Sequence, residues 1–210
     1  MTDSDDDVPC LPADTMAILQ QINEERWKLN DDVDIVKEDW QLSQFWYSKE
    51  TALQLCRELT YAAGSTGRIA CISCPTVVQC FLETDENVLC NAKVTLFEYD
   101  HRFERKFPHH YVPYDYRRPI SVPPCFEAVF DVIIADPPFL SVECLEKVAQ
   151  TVRFLGKVDV KIIVCTGAIM EETVGRLLGL HRLKFEPRHA SGLSNQFACL
   201  ANYETKYLDS

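Results

Sequence analysis

The sequence predicts an α/β fold in which a mostly parallel, doubly wound sheet carries helices on both faces and has one antiparallel edge. Strand-like and helix-like segments alternate along most of the 210 residues, which is the pattern of a parallel sheet. Residues 132–135 are continuously apolar, as expected of a strand that is covered on both faces. Only a short loop separates the last two strand-like segments, which favours antiparallel pairing at that edge.

The chain is expected to divide into three parts. Residues 1–13 are acidic and polar, so we expect a disordered tail there. Residues 14–38 are expected to form a helix over 14–29, with Asp14 as its N-cap, and then a polar linker. Residues 39–210 are expected to form the main domain, which is long enough to bury a full core.

Residues 48–64 carry the clearest helix signals. Ser48 is a natural N-cap, Glu50 is favourable in the first turn, and Gly64 is a natural stop. The apolar residues between them recur at helical spacing, which predicts that one helix face packs on the sheet. These residues are Ala52, Leu55, Cys56, Leu59, Ala62 and Ala63.

Strands and helices then follow in alternation. We expect strands at RIACIS (68–73), KVTLFEY (93–99), FDVIIAD (130–136), VKIIVCT (160–166), HRLKFEP (181–187) and QFACLANYE (196–204), with a short extended segment at YVPYDY (111–116). We expect helices over residues 76–90, from Ser141 onward and over residues 168–180. The basic stretch 101–110 is expected to be a loop.

The composition is that of a globular protein inside the cell. Hydrophobic residues make up 47% and charged residues 25%, and no window approaches the roughly 18–20 apolar residues that cross a bilayer. The acidic start lacks the apolar core of a secretory signal, so we expect a cytoplasmic protein. Its ten cysteines are expected to stay reduced thiols. Cys71 and Cys74 have no second ligand pair at zinc-site spacing, so no metal is expected.

The net charge of −11 is concentrated at the start of the chain. Residues 1–39 hold twelve acidic and three basic residues, whereas the rest holds twenty and eighteen and is nearly neutral. One basic stretch, residues 101–110 followed by Arg117 and Arg118, is able to contact phosphates, although a solvated loop is the alternative. The strongly basic face that is usual in nucleic-acid readers is missing.

The turn after the buried strand at 130–135 concentrates reactive and rigid residues. Asp136 stands at the carboxyl end of that strand, where open α/β sheets bind ligands. Pro137 and Pro138 fix φ and lack amide donors, and Phe139 adds an aromatic face. These residues are suited to bind a small polar group. The alternative is a strand that simply ends at a Pro-Pro turn.

Two acidic residues, Glu98 and Asp100, follow the second strand. Either of them matches the acid that binds ribose hydroxyls in nucleoside-binding folds, and a solvated turn acid is the alternative for each. Residues 71–77 (CISCPTV), after the first strand, lack a glycine-rich phosphate-binding pattern, so a dinucleotide or P-loop site is not supported.

Four stretches together resemble one known family. WQLSQFWYSKETALQL, FEYDHRF, DVIIADPPF and CTGAIMEE resemble the elongation factor 1-alpha lysine methyltransferases, formerly labelled N6-adenine-specific DNA methyltransferases. The similarity extends over residues 39–203. It implies a seven-stranded Rossmann-like (class I) methyltransferase fold, with the cofactor S-adenosyl-L-methionine bound across the ends of the first, second and fourth strands.

The resemblance implies that the catalytic residues are Asp136, Pro137, Pro138 and Phe139. The Asp136 carboxylate and the Pro137 carbonyl would accept hydrogen bonds from an amine and direct its lone pair at the methyl group. Phe139 would pack on the amine or on a base.

The resemblance also implies contacts for the cofactor and for the incoming amine. Trp46 and Tyr47 would join Phe139 in an aromatic surround of the amine. One departure from the family pattern is the lack of glycines in residues 71–77. The residues expected to contact the cofactor are Ser73, Cys74, Glu98, Asp100, Asp115 and Asp136.

The residues and the family resemblance together leave three functions open. The first is methylation of a lysine in elongation factor 1-alpha, with a protein as the partner and no membrane. The second is N6-adenine methylation of DNA or RNA, because an aromatic face accepts a flat base and a cation alike. The third is a binding module that keeps the fold without the reaction. We expect a monomer.

Overall fold

The computed structural model describes residues 36–42, 44–83, 92–192 and 196–209. The predicted acidic tail, the helix over 14–29 and the linker that follows it lie outside these residues, as does the end of the predicted helix over 76–90.

The described residues form one sheet of seven strands. The strands are β1 Arg68–Ile72, β2 Lys93–Glu98, β3 Tyr111–Pro113, β4 Phe130–Ala135, β5 Gly156–Gly167, β6 His181–Arg182 and β7 Phe197–Ala201. Their order is β3-β2-β1-β4-β5-β7-β6, and β1 to β5 are mutually parallel. β7 is antiparallel to both β5 and β6, which confirms the predicted antiparallel edge.

Five α-helices flank the sheet in the described part of the chain: α1 Lys49–Ala63, α2 Pro75–Glu83, α3 Arg102–Lys106, α4 Val142–Leu155 and α5 Glu171–Leu178. α1 begins as predicted, because the Ser48 side chain accepts a hydrogen bond from the Thr51 backbone N–H, and it ends at Gly64. Ser141 caps α4 in the same way. Both helices turn a stripe of buried residues towards the sheet.

β1 and β4 form the centre of the sheet and are its most deeply buried strands. Residues 69–72 and 132–135 have no measurable solvent exposure. They pair in register, with Ile69 beside Val132 and Ile72 beside Ala135. The strand order reverses between these two strands, because the chain builds outwards through β2 and β3 on one side and through β5 on the other. This reversal opens a crevice at their carboxyl ends.

Several predicted elements differ from the observed ones, among them the following three. The basic stretch forms a short helix, α3, instead of a continuous loop. β5 starts four residues earlier than predicted, since no breaker separates it from α4 and Gly156 pairs with Phe130. β6 is limited to two residues, because the Phe185 backbone N–H turns away to bond the carbonyl of Leu208.

A buried glutamate holds the carboxyl-terminal segment against α1. Glu58 is fully buried, and its carboxylate accepts hydrogen bonds from the Tyr203 hydroxyl at 3.1 Å and from the backbone N–H groups of Lys206 and Tyr207 at 3.0 and 2.8 Å. Three donors compensate the cost of burying this carboxylate. Glu58 is therefore a structural residue that lies away from the crevice.

Replacing Glu58 by glutamine is expected to lower the free energy of unfolding by about 2–3 kcal/mol, because the amide cannot accept from all three donors. For a chain of this size that corresponds to a fall in melting temperature of roughly 5–10 °C. The matched control is Glu104→Gln on the exposed face of α3, which is expected to leave the melting temperature unchanged. Equal melting temperatures for the two variants would show that Glu58 does not hold this segment.

Candidate active site

A cleft of about 850 Å³ lies at the carboxyl ends of β1, β2, β3 and β4, where the strand order reverses. Its volume is within the range of small-molecule sites. The residues that follow each of these strands line it, together with residues from the segment before α1 and from the loop before β7. Ten of the eleven residues that the sequence analysis singled out line this cleft; the exception is Asp100.

The turn after β4 lies at the centre of the cleft. The Asp136 backbone N–H donates to the Ile72 carbonyl at 3.0 Å, which continues the pairing of β4 with β1 by one residue. Burial raises the pKa of the Asp136 carboxyl to about 7; the Tyr47 hydroxyl beside it lowers this pKa, and the charge of Glu98 raises it further. Among the described residues, no cation lowers the pKa of Asp136.

The two prolines and the phenylalanine after Asp136 also line the cleft. Pro137 is buried, and Phe139 is 39% exposed at the mouth. The ring in contact with Phe139 is that of Tyr116, with 5.7 Å between the ring centroids. The turn therefore presents a carboxylate, a carbonyl without competing amide donors and an aromatic wall, which is more than a strand that merely stops.

Glu98 ends β2 and offers a free acceptor to the cleft. Its Oε1 accepts from the backbone N–H groups of Tyr99 and Asp100 at 2.9 and 3.1 Å, whereas its Oε2 accepts from no described residue. Burial raises the pKa of Glu98 to about 7, although the two backbone hydrogen bonds lower it. Glu98 is only 6% exposed, so it is not a solvated turn acid.

Asp100 does not line the cleft, which removes it as the competitor of Glu98. Its carboxylate is buried and binds Arg102 at 2.6 Å and the Gln44 side-chain amide at 2.9 Å. Although burial alone would raise the pKa of Asp100, these hydrogen bonds hold it below the usual value. Asp100 therefore fastens the segment before α1 to the end of β2.

Asp115 lines the cleft beside β3, but its carboxylate is engaged by a cation. The Arg117 guanidinium binds its Oδ1 at 3.0 Å, and this bond lowers the pKa of Asp115 although burial alone would raise it. The placement of Asp115 near the adenine ring of the cofactor stays a prediction.

The turn after β1 adopts a left-handed conformation without a glycine. Ser73 has φ +56°, a conformation that costs a residue with a side chain about 1–2 kcal/mol. The Ser73 backbone N–H donates to the Phe97 carbonyl at 2.9 Å, and the Cys74 thiol contacts the Ile134 carbonyl at 3.9 Å. These contacts hold the turn in the shape that glycines usually provide, and α2 begins directly after it.

The aromatic segment before α1 is held by a distant loop. Tyr47 pairs with His189 as an isolated bridge, the Ser48 N–H donates to the Arg188 carbonyl at 2.8 Å, and the Ala190 N–H donates to the Trp46 carbonyl at 2.8 Å. Tyr47 is 4% exposed, and its hydroxyl makes no hydrogen bond of standard geometry to a described residue.

Each aromatic residue that is expected around the amine contacts another ring in the structure. The Trp46 ring packs edge-on against Phe103 at 5.8 Å, and the Tyr47 ring tilts against His189 at 5.1 Å. Both residues line the cleft, but the ring against Phe139 is that of Tyr116.

Several cleft residues escaped the sequence analysis, among them Tyr116 and His189. Tyr116 lies in YVPYDY, where its ring was not assigned a role. His189 lies in a loop without any motif, about 140 residues from its partner Tyr47. Only long-range pairing brings it to the cleft, so no local signal predicts it.

The basic stretch offers fewer available cations than its sequence suggests. Arg102 is bound to Asp100, Arg117 is bound to Asp115, and Lys106 donates to the Gln79 side chain at 3.0 Å. Cations that are engaged in this way contribute less to phosphate binding.

The described residues contain neither a cluster of metal-ligating side chains nor a helix long and apolar enough to span a membrane. Cys71 and Cys74 are buried free thiols.

The cleft suits a ligand that carries positive charge and hydroxyl groups. Asp136 supplies a half-buried carboxylate without a cationic partner in the described part of the chain, and Glu98 supplies an acceptor for hydroxyl donors. A cation that enters the cleft would gain the interaction that the protein itself does not provide.

Comparison with known proteins gives consistent results. A family model described as probable N6-adenine methyltransferase matches residues 38–205. Protein-lysine N-methyltransferase M142.8 of Caenorhabditis elegans is 49% identical over 215 residues, which cover 98% of this chain and 98% of that protein. EEF1A lysine methyltransferase 1 of Mus musculus is 46% identical over 211 residues, which cover 96% and 95% of the two chains.

Solved structures share the fold at low sequence identity. Aeropyrum pernix fibrillarin, in complex with natively bound S-adenosyl-L-methionine, aligns with a TM-score of 0.51 and 14% identity over 77% of this chain and 76% of that chain. The fold is that of the class I S-adenosyl-L-methionine-dependent methyltransferases, as the sequence predicted.

Replacing Asp136 by asparagine is expected to stabilise the ligand-free protein at pH 8 but not at pH 5. Burial raises the pKa of Asp136 from about 3.9 in the unfolded chain to about 7. Between these values the native state binds more protons, so wild-type stability falls as the pH rises. Asparagine does not ionise and so removes that loss. The melting temperature of Asp136→Asn minus that of wild type should therefore increase by several degrees from pH 5 to pH 8. The exposed Asp159→Asn is the control, and an offset equal at both pH values would contradict the burial of this charge.

Proposed function

We propose that this protein transfers a methyl group from S-adenosyl-L-methionine to a lysine of elongation factor 1-alpha. The premise is that the chain belongs to the family of the EEF1A lysine methyltransferases, which the probable N6-adenine methyltransferase model also describes. The observation that carries the proposal is the half-buried Asp136 carboxylate, which lines the cleft and whose pKa no described cation lowers. An ammonium group is the natural counter-charge for such a carboxylate.

Lysine is favoured over adenine as the methyl acceptor. The worm and mouse relatives are both named for lysine methylation. Arg102 is bound to Asp100, and Arg117 is bound to Asp115. Both arginines belong to the group of cations that would have to contact the phosphates of a nucleic acid. Adenine is also neutral, so it would not compensate the charge of Asp136.

The residues of the cleft fit the cofactor. Glu98 Oε2 is an acceptor without a donor among the described residues, as a contact for ribose hydroxyls requires. The turn at Ser73 and Cys74 and the nearby Asp115 would complete this part of the site. When bound, S-adenosyl-L-methionine supplies a sulfonium methyl group that is open to direct displacement by an amine.

The raised pKa of Asp136 reduces the cost of deprotonating lysine. A free lysine ammonium has a pKa of about 10.4, so proton transfer to an ordinary carboxylate near pKa 3.9 is uphill by roughly 9 kcal/mol. With the pKa of Asp136 near 7, the same transfer is uphill by roughly 5 kcal/mol. In its ionised form Asp136 would bind the ammonium, accept its proton and orient the freed lone pair, together with the Pro137 carbonyl.

The aromatic wall would align the alkyl chain of the lysine. Phe139 and Tyr116 lie at the cleft mouth with ring centroids 5.7 Å apart. Aromatic faces attract an ammonium by roughly 0.5–2 kcal/mol, so they would favour lysine entry without fixing the amine in one place. Orientation at the reacting nitrogen would then depend on Asp136.

The proposal extends to the partner, the assembly and the compartment. Elongation factor 1-alpha as the substrate is supported by the name of the mouse relative. A monomer in the cytoplasm is the expectation from the sequence. Light scattering of the purified protein and fractionation of cells test these two points.

The reaction is tested with purified protein, methyl-labelled S-adenosyl-L-methionine and cell extract. We expect label that protease releases and nuclease does not, concentrated in elongation factor 1-alpha. Asp136→Asn is expected to lower the rate by at least about 100-fold, and Asp159→Asn to leave it unchanged. Label that only nuclease releases would replace lysine by adenine, and undiminished activity of Asp136→Asn would remove Asp136 from the reaction.

Glu98→Gln is expected to weaken binding of S-adenosylhomocysteine by about 10–100-fold, because an amide is a poorer acceptor for ribose hydroxyls than a carboxylate. The measurement is a calorimetric titration. Since burial raises the pKa of Glu98 to about 7, wild-type affinity should fall as the pH is lowered from 8 to 6, and the variant should lose most of this dependence. Glu104→Gln is the control, and wild-type affinity in Glu98→Gln would place the ribose elsewhere.

A further inference from the structure

Tyr47 is buried in the wall of the cleft, and its hydroxyl lies beside the Asp136 carboxylate. The side chain is 4% exposed, and the phenol makes no hydrogen bond of standard geometry to a described residue. A buried tyrosine hydroxyl ordinarily finds an acceptor. The Asp136 carboxylate beside this hydroxyl is an acceptor that the phenol can bind.

The only strong acceptor among the described neighbours of this hydroxyl is the Asp136 carboxylate. The hydroxyl also lies near the thiols of Cys74 and Cys165. Both thiols are engaged elsewhere, Cys74 with the Ile134 carbonyl at 3.9 Å and Cys165 with Cys199 at 3.8 Å. Burial, and then the charge of Asp136, raise the pKa of the Tyr47 phenol, which therefore keeps its proton at neutral pH.

The backbone holds Tyr47 in this position. Hydrogen bonds between residues 46–48 and residues 188–190 fix the chain on both sides of it. Its ring rests against His189 with 5.1 Å between centroids, so that side of the ring is not available to a ligand. Both features favour a role for the hydroxyl over a role for the ring.

We infer that Tyr47 is the positioning residue of Asp136: its hydroxyl donates a hydrogen bond to the ionised carboxylate, holds one oxygen and leaves the other for the amine of the substrate. This inference rests on the proposed methyl transfer. This role differs from the aromatic surround of the amine that the family resemblance implies for Tyr47. Removal of the hydroxyl leaves the carboxylate without its donor, so Asp136 ionises at higher pH.

The groups that face this pair allow a clear measurement. Glu98 raises the pKa of Asp136, but saturating cofactor is expected to engage Glu98. Burial raises the pKa of the Cys74 thiol, and the contact with Cys199 followed by burial raises that of Cys165, so both thiols stay neutral below pH 9. Burial lowers the pKa of His189, against the charge of Glu38, so its imidazole is neutral above pH 7. The acid limb of the rate profile therefore reports Asp136.

The experiment compares wild type, Tyr47→Phe and Tyr61→Phe, the last changing an exposed tyrosine that does not line the cleft. The quantity measured is kcat/KM for the methylated protein substrate at saturating S-adenosyl-L-methionine between pH 6 and 9. We expect Tyr47→Phe to lose about 10-fold at pH 7 and to recover to within about 3-fold of wild type at pH 9, with the acid limb about one pH unit higher. Tyr61→Phe is expected to match wild type.

A second measurement does not depend on activity. The carboxyl carbon resonance of Asp136, assigned by its loss in Asp136→Asn, is titrated in wild type and in Tyr47→Phe. The inference predicts a midpoint about one pH unit higher in Tyr47→Phe. Equal midpoints, or a loss of activity that is the same at every pH, would overturn it. A wild-type protein without activity would contradict the proposed function, while the titration would still decide the role of Tyr47.

Discussion

Two carboxyl groups with little access to solvent, at the carboxyl ends of the two strands that flank β1, are the constraint on which this cleft depends. Glu98 ends β2 and Asp136 follows β4, with β1 between them. Burial raises the pKa of both groups to about 7. The β-sheet keeps them there, because β1 and β4 are fully buried and pair in register up to the turn. The protein thus stores an unfavourable charge arrangement that a cationic ligand relieves.

The acidic residues around the cleft show how this arrangement is confined. Asp100 and Asp115 each have an arginine partner, and Glu58 has three donors away from the cleft. Asp136 has only a tyrosine hydroxyl beside it in the described part of the chain. The first three acids are thus engaged in holding the structure together, whereas the Asp136 carboxylate is left available to a ligand.

The sequence predicted most of the sheet because its signals are local. The caps at Ser48 and Ser141 and the apolar run before Asp136 depend on residues within a few positions, and all three are present. The carboxyl-end rule then placed Glu98 and Asp136 together, since both follow buried parallel strands.

The missed features depend on contacts between distant parts of the chain. His189 reaches the cleft through pairing with Tyr47, and Asp100 is withdrawn from it by Gln44 and Arg102. The left-handed turn at Ser73 contains no glycine from which it could be predicted. Such contacts decide which side chains of an irregular segment are buried. The local sequence pattern therefore could not predict these features.

The most direct test of the account is a crystal structure with S-adenosylhomocysteine and a lysine-containing peptide of elongation factor 1-alpha. The account predicts the ribose hydroxyls on Glu98 Oε2 and the lysine Nζ within hydrogen-bond distance of the Asp136 carboxylate, beside the ring of Phe139. A ribose bound away from Glu98, or a lysine amine that does not reach Asp136, would contradict it.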